Sequence, residues 1–190
     1  MLRHLRPAVL VLLSLSVITG VVYPLLMTGV ASVLFPSQAA GSLVVKEGKV
    51  VGSALIGQHF SEPKYFWGRP SATAPFANNA LASGGSNLGP LNPALIDAVK
   101  QRVDALKAAD PDNVQKIPVD LVTASGSGLD PDISLAAAQY QLNRVARVRH
   151  LEVAKVQVLL EQYARYPMLG FLGTPRVNVL ELNMALDEVR

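Results

Sequence analysis

Several short constellations in this chain have residue types and spacings that bear on chemistry. Gly52-Ser53-Ala54-Leu55-Ile56-Gly57 has the glycine spacing of a phosphate-binding loop, in which backbone N–H groups cradle phosphate oxygens. Gln58-His59 stands where that loop needs Lys-Ser/Thr, and without the lysine charge the pattern argues against autonomous nucleotide hydrolysis. Ser61-Glu62-Pro63-Lys64 fits the serine-x-x-lysine spacing of penicillin-binding acyl transfer, where lysine activates the serine. The accompanying Lys-Thr-Gly and Ser-Asp-Asn motifs are absent, so a membrane-anchored serine hydrolase of that type stands only as the alternative reading. His4, His59 and His150 are too scattered for a zinc site, and with no cysteine there is no thiolate ligand either. Neither a catalytic centre nor a metal site is expected.

The elements that would have to position such groups begin with an anchor. Between Arg6 and Lys46 there is no charged residue, and Ala8 to Leu34 is mostly Leu, Val, Ile, Ala, Gly and Ser. About 20 apolar residues cross a bilayer, so this run is a transmembrane helix with length to spare. It is roughly twice the 7–15 residues of a signal-peptide apolar region, which favours retention over cleavage near Ser37-Gln38-Ala39. Pro24 predicts a kink. Arg3, His4 and Arg6 precede the helix, while the first base after it is Lys46, so the positive-inside rule keeps the N-terminus cytoplasmic. The expected organisation is a cytoplasmic N-terminus over 1–7, a transmembrane helix over 8–35 and an extracytoplasmic domain over 36–190. Ser16 with Gly20 and Thr28 with Ser32 are small-xxx-small pairs, which make these four residues candidates for contact with a partner helix.

The chain of 190 residues has 17 Lys and Arg, of which Arg3 and Arg6 precede the helix, leaving 15 beyond it against 14 Asp and Glu. The outer domain is therefore nearly neutral, and nucleic-acid binding, which needs a concentrated basic footprint, is excluded. Ser42–Val45 and Lys49–Leu55 predict a hairpin through Glu47-Gly48. Residues 57–93, rich in Gly, Pro, Ser and Asn, predict a long loop layer whose aromatics, Tyr65, Phe66, Trp67 and Phe76, dock on the core. Asn92-Pro93 opens a helix with Leu95, Ile96, Val99, Val103 and Leu106 at helical spacing. Val119–Thr123 reads as a strand and residues 124–132 as a turn cluster. Ser134 caps a second helix with Leu135, Ala138, Leu142 and Val145 on its apolar side. Gln141, Arg144, Arg147 and Arg149 fall around its polar face, a pattern that solvation alone accounts for. A third helix runs from Glu152 to Arg165, Val177–Leu182 reads as a strand, and residues 183–189 form a last helical turn. The fold class is α+β: one N-terminal transmembrane helix and one small mixed α/β extracytoplasmic domain.

Five motifs, taken in order, carry a resemblance. They are Gly52 to Gln58, Tyr65-Phe66-Trp67-Gly68-Arg69-Pro70-Ser71-Ala72, Ser83 to Leu88, Leu121 to Pro131 with Gln141 to Arg149, and Asn178-Val179-Leu180-Glu181-Leu182-Asn183. Together with the anchor they resemble the C subunit of the Kdp potassium-transporting ATPase. The resemblance implies a bacterial inner-membrane complex in which a channel-like subunit binds potassium and a P-type ATPase subunit hydrolyses ATP. It implies for this chain no cofactor of its own, contact with membrane lipid, and the role of a catalytic chaperone that raises the ATPase subunit's affinity for ATP. Gln141 matches the glutamine to which that nucleotide role is attributed, and Arg69, inside the second motif, is a further candidate partner contact. Flanking charge places Gln141 outside and ATP inside, so the physical form of the role would be conformational linkage.

Overall fold

The computed structural model describes residues 2–189; Met1 and Arg190, the outer ends of the expected 1–7 and 36–190 segments, lie outside it. Contacts divide the chain into two compact units that meet at Val50 and Val51.

The first unit is dominated by one continuous helix: α1 (Leu2–Val17), a π turn (Ile18–Val22) and α2 (Tyr23–Leu34). Residues 3–34 are long and apolar enough to cross a membrane. The π turn is the answer of the backbone to Pro24, which has no N–H to offer the preceding turn and whose ring crowds the carbonyl four residues back. Tyr23 N–H reaches Ile18 O, one residue further than an α-helix allows, and the helix resumes. Within this apolar stretch hydroxyls must find partners on their own helix: Thr19 Oγ1 donates to Leu15 O at 2.7 Å and Ser32 Oγ to Thr28 O at 2.7 Å. Phe35 leaves helical geometry, and a short α3 (Pro36–Ala39) follows. β1 (Leu43–Lys46) and β2 (Lys49–Ser53) form the expected hairpin, along which the chain enters the second unit.

The second unit is a mixed α/β domain. β2 ends at Ser53, two residues short of the expected Leu55, and from Ala54 to α4 (Pro93–Ala109) the chain makes neither helix nor strand, which includes the loop expected over 57–93. Asn92 Oδ1 accepts from Ala94 N at 3.0 Å and so caps α4. The α4 face is shallower than its spacing suggests: Leu106 is buried and Val99 and Val103 pack at the core's edge, while Ile96 is exposed. A three-stranded antiparallel sheet in the order β3 (Asp132–Ser134), β5 (Arg176–Asn178), β4 (Ala164–Arg165) carries α5 (Leu135–Val148), α6 (Val153–Tyr163) and α7 (Val179–Glu188). Ile133 faces Val177 in register, and both are buried with Val145, Val156, Leu160, Leu182 and Leu186.

Three sequence expectations are corrected here. Val119–Leu121 is a turn of 3-10 helix, because Thr123 satisfies Val119 O through both its backbone N–H and its hydroxyl, and Val119 itself is exposed. Val177–Leu182 keeps strand geometry only to Asn178. There Asn178 Oδ1 accepts from Glu181 N at 3.1 Å, starting α7 with Val179, Leu182 and Leu186 on its inner side. The third helix stops at Tyr163, since Ala164 and Arg165 pair with Val177 and Arg176 of β5.

Leu160, fully buried between these layers, tests the core. Leu160→Ala is expected to cost about 2–5 kcal/mol, the range for removing a buried Leu side chain. Urea unfolding of the full chain in detergent, followed by the fluorescence of Trp67, measures it.

Candidate functional site

Of the residues singled out in sequence, Gln141 and the aromatic run Tyr65–Trp67 come together on one side of α5. Its N-terminus is fixed by Ser134, whose Oγ accepts from Ala137 N at 3.0 Å while Asp120 Oδ2 accepts from Ser134 N at 2.8 Å. About two and three turns on, Gln141 and Arg144 face inward, 1% and 2% exposed. This overturns the solvated polar face: these two residues are core, and what lies against them is the loop segment Pro63–Trp67.

The contacts are bidentate and consecutive. Trp67 N donates to Gln141 Oε1 at 2.8 Å, and Gln141 Nε2 donates back to Trp67 O at 3.1 Å. At the preceding residue Phe66 N donates to Asn183 Oδ1 and Asn183 Nδ2 to Phe66 O, both at 2.9 Å. Two side-chain amides, one from α5 and one from α7, thus satisfy both backbone groups of two successive loop residues, as a neighbouring strand would. Gln141 is fully committed: Nε2 also lies 3.3 Å from Ala137 O, and Arg144 Nη2 donates to Oε1 at 2.7 Å.

Arg144 and Arg149 hold the rest of the segment. Arg144 Nη1 donates to Pro63 O, and its guanidinium stacks 4.6 Å from the Trp67 ring centroid. Burial pushes its pKa down to about 10, partly offset by Asp110, so it remains a cation at neutral pH. Arg149 donates through Nε to Lys64 O at 2.7 Å, through Nη1 to Leu186 O at 3.1 Å and through Nη2 to Asp187 Oδ1 at 2.7 Å. It also stacks on Tyr65, whose hydroxyl donates to Asp187 Oδ2. The aromatics dock as expected except Phe76, which is exposed. Arg144, Arg149 and Asn183 take parts that the sequence reading did not assign. The available signal was that Arg144, on the helix of Gln141, and Arg149, at its C-cap, lie near one another in sequence while an unattached aromatic run needs a dock.

The other motifs lose their chemical readings. No helix follows Gly52–Gly57, and its glycines serve close packing: a Cβ on Gly57 would lie 2.6 Å from Asp130 O, and one on Gly52 would lie 2.2 Å from Gln58 Nε2. Ser61 is exposed, and Lys64 Nζ pairs with Glu62 Oε2 at 2.8 Å. That hydrogen bond raises the lysine pKa above its ordinary value, the wrong direction for a base. Arg69 is half-buried and pairs with Asp130 at 2.9 Å on the edge of a cleft of about 600 Å3 that Asp120, Asp132 and Arg176 also line. Burial pushes the Asp132 carboxyl up, against the pull of Arg176. Ser16, Gly20, Thr28 and Ser32 lie exposed along the apolar helix, with open space around Gly20, which sits in the π turn.

One apolar spanning helix and one small α/β domain, tied internally by amide and guanidinium clamps, define a single-pass membrane protein. The chain is matched over residues 5–188 by the family model described as KdpC, K+-transporting ATPase, c chain, and it belongs to that family. It is 65% identical over 183 residues to the potassium-transporting ATPase KdpC subunit of Variovorax paradoxus (strain S110), covering 96% of this chain and 95% of the relative. It is 63% identical to that of Polaromonas naphthalenivorans (strain CJ2), with 98% and 95% covered, and 61% identical to that of Methylococcus capsulatus over the full length of both.

Gln141→Ala is expected to destabilise the domain by about 2–4 kcal/mol, because it strands Trp67 N–H and C=O and one guanidinium N–H in the interior. Arg165→Ala, which breaks only an exposed pair with Glu181, is expected to cost under about 1 kcal/mol. Thermal unfolding of the two variants side by side checks the contrast.

Proposed function

We propose that this chain is the anchored, non-catalytic accessory subunit of an ATP-driven potassium import complex, and that it acts by conformational linkage rather than by touching nucleotide. Its partners are a channel-like potassium-binding subunit and a P-type ATPase subunit, which handle potassium and ATP; the chain carries no cofactor of its own. Family membership supports the complex, and the bases ahead of the helix support a cytoplasmic N-terminus with the α/β domain on the outer face of a bacterial inner membrane. Ser16, Gly20, Thr28 and Ser32 are the helix's candidate contacts with a partner helix and Arg69 that of the domain.

The observation that carries the linkage reading is the state of Gln141. Its amide is buried and all its bonding capacity is used within the fold, so a hydrogen bond to ATP would require dismantling the Trp67 clamp. The residue sets the shape and stiffness of the domain. A subunit that binds one conformation of its partners better than another shifts their ATP affinity by its differential affinity alone, from any distance.

Asn183 separates the two mechanisms, because it clamps Phe66 as Gln141 clamps Trp67 and makes no bond to Gln141. Under linkage, Asn183→Ala and Gln141→Ala produce the same kind of change in the assembled complex: ATP half-saturation shifts to an extent that varies with external potassium. The measurement is ATPase activity across a grid of both concentrations, below the unfolding temperature of either variant. An ATP shift confined to Gln141→Ala and equal at every potassium level would sink the linkage reading. For topology, Val114 is almost wholly exposed and the chain has no cysteine. Val114→Cys is expected to react with impermeant maleimide on intact spheroplasts; reaction only after lysis would reverse the orientation.

A further inference from the structure

The segment between β4 and β5 has no part in the clamp and is unlike any other surface of the domain. From Tyr166 to Pro175 it contains no charged residue, and Tyr166, Met168, Leu169, Phe171 and Leu172 are each more than half exposed. Leaving five large apolar side chains together in water is costly, and a patch of this kind on a small domain marks a surface that is covered in use.

We propose that residues 166–175 form a lipid-contacting finger, with Met168, Leu169, Phe171 and Leu172 seated in the interfacial layer of the bilayer that anchors the same chain. This rests on the anchored reading above. The geometry suits an apolar medium. The tip closes on itself: Gly170 N donates to Pro167 O at 3.2 Å, Leu172 N to Met168 O at 3.1 Å and Gly173 N to Phe171 O at 3.2 Å. Those bonds spare the tip part of the cost that unpaired N–H groups would carry away from water. Leu169, Gly170 and Gly173 adopt positive φ, which makes the reversal tight enough to project side chains rather than bury them.

The base of the finger has the chemistry of the headgroup layer. Arg165 and Arg176 are register partners across β4 and β5, each about half exposed, although they also pair with Glu181 and Asp132. Tyr166 follows at the neck, an amphipathic ring of the type that collects at membrane interfaces. Cations at the base, a tyrosine at the neck and aliphatic and Phe side chains at the tip match the order of phosphate, interface and acyl chain. A protein pocket is the rival occupant, but the tip carries no charge with which to specify a register in one.

The absence of native cysteine allows the test on the full chain in phosphatidylcholine–phosphatidylglycerol nanodiscs. A spin label at Phe171→Cys is compared with one at Val114→Cys. The expected result is a several-fold higher ratio of oxygen to nickel-chelate accessibility at position 171. A water-like ratio at 171, equal to that at 114, would overturn the proposal. So would protection from both reagents that develops only when the other subunits are added, since that assigns the finger to a protein partner. Carbonate extraction run in parallel keeps the two readings apart: a chain that washes off the membrane loses its anchor, whereas one that stays with a water-exposed label loses only its finger.

Discussion

A guanidinium and an amide in a protein interior must be answered by bonds, and in this domain Arg144 and Gln141 are answered by one stretch of loop. Moving a cation out of water costs several kcal/mol even after relaxation. Among the described residues no carboxylate is bonded to it; the carbonyl of Pro63, the oxygen of Gln141 and the face of Trp67 share the charge. Because Gln141 and Trp67 are also bonded to each other and Arg149 holds Lys64 O, the Pro63–Trp67 segment has few places to go. The loop layer that follows inherits its position from this anchorage: Arg69 pairs with Asp130, and Ser125 N donates to Pro70 O.

Side-chain amides acting as a substitute strand explain how a long segment without helix or strand stays ordered. A backbone buried without partners would lose about 1–3 kcal/mol for every bare group. Gln141 and Asn183 cover four such groups on Phe66 and Trp67, and place Phe66 in the apolar core, where it is fully buried. Such a connection joins α5 and α7 through the loop, so a displacement of one is felt by the others.

The two parts of the chain answer to two solvents. In the helix every hydroxyl with a described bond finds it on the preceding turn, and Pro24 is absorbed by a π turn instead of an unpaired carbonyl. In the domain, Gln141, Arg144 and Asn183 are buried against polar partners, whereas Arg69 Nε and Asp132 Oδ1 are buried without a hydrogen-bond partner. The apolar segment between β4 and β5, which we propose meets lipid, belongs to the second unit yet leaves its large apolar side chains exposed.

The anchor, the α+β class, the β1–β2 hairpin and the Asn92 and Ser134 caps were legible from sequence, because each rests on interactions within a few residues: a run of apolar side chains, a turn glycine, an oxygen two or three positions from the N–H it accepts. The strand readings at Val119–Thr123 and Val177–Leu182 failed where local periodicity was ambiguous. Asp120 was held by Ser134, and Asn178 by Glu181, in ways that a strand pattern does not register. The environment of Gln141 was not legible at all. On a helical wheel it falls among arginines and polar residues, and only the arrival of a segment 74 positions away turns that face into interior. Local sequence determines which backbone states are inexpensive; whether a polar side chain meets water or a distant carbonyl is decided by the tertiary fold, because burial depends on what else is packed there.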